Sequence, residues 1–174
     1  MAKEYCLVEG GVIVTDPAPL PQSWRNVSGL DLLPDAALAG LGWKSVVDVR
    51  VPLGSWQVSG APELVHNGSN VLRKFSAVTL SDDKIIAILR DAVQAYLDGA
   101  AKDAGYDDIK SAVSYADEPA VPKFQAEGQA FRTWRSLVWD ACNQILADVL
   151  SGARPKPASA VALIAELPEL QLPA

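Results

Sequence analysis

The alternation of apolar and polar positions changes character near residue 80. Before it, short β-branched or aromatic runs are separated by turn residues. Residues 4–8 and 12–15 flank Glu9-Gly10-Gly11, and such runs joined by glycines that tolerate positive φ predict a hairpin. Pro17, Pro19 and Pro21 lock φ at every second position and remove backbone donors, which predicts an extended segment on a surface or in a groove. Residues 33–40 predict a helix of at most two turns, with Pro34 at its first position, Asp35 in its first turn, and Gly40 or Gly42 as its stop. Residues 46–51 alternate Asp48 and Arg50 against Val47, Val49 and Val51 as a strand does, and 63–66 and 71–79 flank an Asn67-Gly68 turn.

After residue 80 the period lengthens to that of a helix. Ser81 is a natural N-cap, Asp82 and Asp83 suit the positive helix end, and Ile85, Ile88, Leu89, Ala92, Tyr96 and Leu97 follow, predicting a helix over about 82–103. A short helix is expected over 107–116, carrying Ile109 and Val113 and ended by Pro119. From 123 to 150, Phe124, Phe131, Val138, Cys142, Ile145 and Val149 mark one stripe interrupted by Gly128 and Arg135, a helix of about 40 Å at 1.5 Å per residue. Gly152, Pro155 and Pro157 end it, and Ser159 caps a last short helix before Pro168. The fold class expected is α+β: a small antiparallel β-rich N-terminal unit over 1–80, then a helical C-terminal region over 81–174 with one long helix.

Composition narrows the function. A chain of 174 residues, 49% of them apolar, buries enough surface to fold without a disulfide or metal. Cys6 and Cys142 form neither a zinc spacing nor a disulfide framework, which fits a reducing compartment, and are expected to pack as small hydrophobes. The net charge is −6, with −1 on residues 1–80 and −5 on 81–174, so a nucleic-acid phosphate backbone is not an expected partner. The first 20 residues show no signal-peptide hydrophobic region, and no apolar run reaches the ~18 residues of a membrane span, so no membrane partner is expected.

Chemistry-bearing motifs are sparse. The single imidazole is His66, and no Ser or Cys nucleophile is marked beside it, so no catalytic residue is expected. Gly42-Trp43-Lys44-Ser45 lacks the glycine that a phosphate loop needs directly before its lysine. Asp98, Asp103, Asp107, Asp108, Asp117 and Glu118 lack the pattern of a calcium loop and read as a solvated face. No metal and no cofactor are expected. Two apolar constellations stand out instead. Leu20, Pro21, Trp24, Leu30, Leu32, Leu33 and Trp43 either cover the β-rich unit or recognise a partner. Phe131, Trp134, Arg135, Leu137, Val138 and Trp139 occupy nearly the full circumference of the long helix, which implies burial on two sides or association with another chain.

Residues 115–119 and 124–139 run aromatic, prolines, Phe, Glu, then Trp-Arg and Trp. This segment resembles C-terminal regions of small phage and prophage tail proteins. With Pro19-Leu20-Pro21-Gln22-Ser23-Trp24, the segment from Leu30 to Leu33, and Leu41-Gly42-Trp43, the chain is similar to bacteriophage tail-fibre assembly proteins, which are encoded beside tail-fibre genes. The resemblance implies a non-enzymatic chaperone that binds the C-terminal region of a trimeric tail fibre, in the host cytoplasm during assembly, and in some members stays on the fibre tip. One copy per fibre chain around the fibre axis is the implied arrangement. The alternative is a permanent structural component of the virion tail or fibre involved in host attachment. The candidate partner-binding residues are Pro19, Pro21, Trp24, Trp43, Phe131, Trp134, Arg135 and Trp139, with the edges of strands 46–51 and 71–79 as further sites for strand addition.

Overall fold

A computed structural model describes residues 3–173. They form two compact units that divide between Thr79 and Leu80.

The first unit is a five-stranded sheet, ordered β2-β1-β5-β7-β6, with a two-stranded hairpin beside it. Its strands are β1 (Tyr5–Glu9), β2 (Val12–Ile13), β3 (Ser23–Trp24), β4 (Val27–Ser28), β5 (Trp43–Arg50), β6 (Gln57–His66) and β7 (Val71–Thr79). β1 and β2 form the expected hairpin around Gly10 and Gly11. The sheet is mostly antiparallel, but β5 and β7 run parallel, Val46 opposite Val71. Two chain reversals separate them, the second at residues 67–70, where Asn67 Oδ1 accepts the N–H groups of Ser69 and Asn70. β6 is longer than its apolar end at 63–66 suggests, because a register break between Ser59 and Pro62 interrupts its alternation. The β3–β4 hairpin is too short to show any period.

Both faces of β1 are covered. Cys6 and Val8 pack with Val71, Ile13, Val46 and Leu64 on one side. Tyr5 and Leu7 pack with Trp43, Leu30 and Leu38 on the other. Leu38 comes from α1 (Asp35–Gly40), which Pro34 precedes as N-cap rather than joining as first helical residue. Of the two glycines considered as its stop, Gly42 is the one in the left-handed region, at φ 93°. A Cβ there would lie 2.9 Å from the carbonyl oxygen of Val8, so the close approach of the turn to β1 requires glycine. The proline segment is extended and largely exposed. Within it Ala18 N–H bonds to Tyr5 O at 3.1 Å, and Tyr5 N–H returns to Ala18 O at 2.8 Å.

The second unit is helical: α2 (Asp82–Asp103), α3 (Ile109–Ser114), α4 (Pro122–Leu150) and α5 (Ala160–Ile164), with a 3-10 turn at Tyr115–Asp117. Ser81, Asp108 and Ser159 cap α2, α3 and α5 through their side-chain oxygens. Val93, Leu97 and Ala101 of α2, Ile109 and Ala112 of α3, and Phe131, Trp134 and Val138 of α4 form one core with Leu163 and Leu167. Gly128 does not weaken the stripe of α4: it is where the backbone of the 3-10 turn seats against the helix, with Ala116 N only 2.4 Å from where a Cβ would stand. Among the described residues no helix is long and apolar enough to cross a membrane.

Candidate functional site

The eight candidate residues separate into buried and accessible groups. Phe131, Trp134 and Trp43 are 0%, 3% and 6% exposed, so the expectation that they anchor a partner is corrected. The reason is volume: each unit is small, and these rings are the largest groups available to close its core. Trp134 is fixed on three sides. Its indole N–H donates to Pro168 O at 2.7 Å, and its ring meets Tyr96 and Phe131 edge-on, at 5.4 and 6.2 Å between centroids. Trp43 meets Trp24 edge-on at 5.6 Å. Trp24 is half-buried, and the buried indole nitrogens of both residues lack a hydrogen-bond partner. This pair covers the β-rich unit, the packing role weighed for it from the sequence. Pro19 and Pro21 are exposed, and Arg135 is half-buried.

One of the two expected strand edges is corrected: β7 lies between β5 and β6, so residues 71–79 offer no edge. β5 pairs with β1 along Trp43–Ser45 on one side and with β7 along Val46–Arg50 on the other, which leaves the β1-side edge of residues 47–50 without a strand partner among the described residues.

Trp139 is different. It is half-buried and forms part of an apolar cleft between the N-terminal half of α2 and the C-terminal half of α4, with a cavity volume of about 160 Å³. The crowded helix therefore divides its large groups, sending Trp134 and Val138 into the core and Trp139 into the cleft wall. Ile85, Ile86 and Leu89 of α2 face Trp139, Ile145, Leu146 and Val149 of α4, with Val93 and Leu163 deeper in. Helix axes are spaced by the side chains between them. The Tyr96, Phe131 and Trp134 rings fill the seam at one end, and beyond them the smaller aliphatic groups leave the cleft open. Asp82 and Lys156 form an ion pair at its lip, and Arg90 and Asn143 stand there too. Sequence reasoning placed Ile85, Leu89, Ile145 and Val149 in core stripes. The signal it passed over is the adjacent pair Ile85-Ile86 facing Ile145-Leu146, more apolar surface than a two-helix seam consumes.

Burial pushes the thiols of Cys6 and Cys142 above their ordinary range; Cys142 lines the cleft. His66 ends β6, with Nε2 buried and unpartnered. The acidic residues expected as a solvated face are in part structural. Asp98 accepts the backbone N–H of Ile109 at 3.1 Å, Asp108 caps α3, and Asp117 pairs with Arg132, which holds its carboxyl below the usual range. Tyr106 donates to Glu127 at 2.6 Å. Desolvation, with that bond second, pushes its hydroxyl up to about 12. Among the described residues no three His, Cys, Asp or Glu side chains gather as a metal site.

Compared with family models, curated proteins and solved structures, the chain matches none.

Proposed function

We propose that this protein is a non-enzymatic assembly factor for a phage tail fibre, and that its α2–α4 cleft takes apolar side chains from the fibre's C-terminal region. The observation that carries the reading is the cleft itself. Its walls are aliphatic and aromatic, it opens to solvent, and it includes Trp139, the tryptophan of the tail-protein-like segment that the core leaves accessible. Apolar concavities of this kind bind through burial and shape, without reacting groups. The resemblance of residues 115–139 to tail proteins supplies the partner.

The role has a physical rationale. Fibre trimers form from chains that expose apolar segments and unpaired strand edges before they intertwine, and such surfaces aggregate unless covered. A chaperone that caps them transiently raises the yield of trimer. Co-expression with the neighbouring fibre gene is expected to increase soluble trimeric fibre and to give a co-purifying complex. An unchanged yield with no complex contradicts the proposal. Mass spectrometry of purified particles then separates a transient helper from a subunit retained on the fibre.

A further inference from the structure

We infer that the segment received by the α2–α4 cleft is an amphipathic helix of about three turns that brings a carboxylate to Arg90, which rests on the occupancy proposed above and adds the conformation and charge of what is taken. The cleft has the length of such a helix. Its walls run from Asp82 to Val93 on α2 and from Trp139 to Leu150 on α4, which is about 16 Å each at 1.5 Å per residue. They are antiparallel: Tyr96 of α2 meets Trp134 of α4 at the closed end, and Asp82 meets Lys156, just past α4, at the other. A helix laid between them presents a stripe at i, i+3 or i+4, and i+7 to Ile86, Leu89, Trp139 and Leu146.

Backbone hydrogen bonding selects a helix over an extended segment. Between its ends the cleft is walled by the interiors of α2 and α4, whose N–H and C=O groups bond within each helix. An extended segment would press its amides against these walls with little but the side chains of Arg90, Asn143 and Trp139 to bond. A helix arrives with its amides already paired. Charge then selects which helix. Arg90 is exposed on the rim and, among the described residues, forms no ion pair. The other charges lining the cleft, Asp82 and Lys156, neutralise each other, and Asp83, Asp91 and Asp140 do not line it. A helix seated over Ile86 and Trp139 covers the guanidinium, and covering an unpaired charge costs more than covering a paired one. The planar fork of arginine fits a carboxylate.

The test uses overlapping peptides of about 20 residues from the C-terminal region of the neighbouring fibre protein, long enough for about three turns with flanks. Each is titrated into the full chain by calorimetry, and the peptide that binds is isotope-labelled so that its Cα chemical shifts report its conformation in the complex. The expected result is helical shifts over a segment with apolar residues at helical spacing and an acidic residue among them. Arg90→Glu then weakens binding about tenfold, and a peptide with lysine in place of that acid binds the Arg90→Glu variant as the original binds the wild type. Arg90→Gln serves if the reversed charge disturbs α2, and gives a smaller loss. A bound peptide that stays extended, an affinity indifferent to both Arg90 variants, or an exchange that fails to restore binding overturns the acidic helix; if Leu146→Arg still abolishes that binding, the cleft remains the site. Failure of every peptide to bind the wild type removes the helix and the proposed occupancy together.

Discussion

Trp134 and Trp139 lie five positions apart on one helix, yet they face different environments. Trp134 fills the core and holds Pro168 through its indole N–H; Trp139 lines the cleft. Trp134→Ala is therefore expected to destabilise the helical unit by about 3–5 kcal/mol, measured by denaturant unfolding. Trp139→Ala should cost only about 1–2 kcal/mol and act mainly on partner binding. Equal losses of stability with no change in binding would remove the interface role of Trp139. Tyr106 gives a pH signature. Its folded value of about 12 lies above the ordinary 10.0, so the neutral hydroxyl is favoured by folding. That contribution is complete below pH 10 and is lost as pH rises through the folded value. Tyr106→Phe is expected to lower stability at neutral pH by about 1–2 kcal/mol and to flatten the fall in stability above pH 10, seen by thermal unfolding across alkaline buffers.

At the scale of elements, the glycines inside the two long helices, α2 and α4, should respond in opposite ways. Gly99 in α2 has nothing within 4 Å of a built Cβ, so Gly99→Ala should stabilise by about 0.5–1 kcal/mol through helix propensity. Gly128 meets the backbone at Ala116 and Tyr115, so Gly128→Ala should destabilise by about 1–3 kcal/mol by forcing α4 off the 3-10 turn. Paired melting curves check both signs. Gly128 also marks what the sequence conceals. The helices were legible because Ser81, Asp108, Ser159 and the flanking prolines act locally on the backbone, and a one-dimensional pattern records local preferences. The parallel pairing of β5 with β7 depends on where a hairpin docks, and no residue of either strand encodes it. The cleft was half-legible. Its lining residues have helical spacing, but whether such residues close a seam or leave it open depends on the size of Tyr96, Phe131 and Trp134 farther along.

For the whole molecule, the function proposed above rests on accessible apolar surface rather than on charge, the chain carrying −6 overall. Its accessible apolar features include the α2–α4 cleft in the helical unit. An assembly factor needs such surfaces to be adequate for capture and weak enough for release, which matches a shallow cleft better than a deep one. The cleft is tested most directly by calorimetric titration of the purified C-terminal segment of the neighbouring fibre protein into this chain. The account predicts saturable binding to the wild type, weakened at least about tenfold by Leu146→Arg, which places a charge in the cleft wall. No binding to the wild type, or equal binding to the Leu146→Arg variant in its folded form, would contradict it.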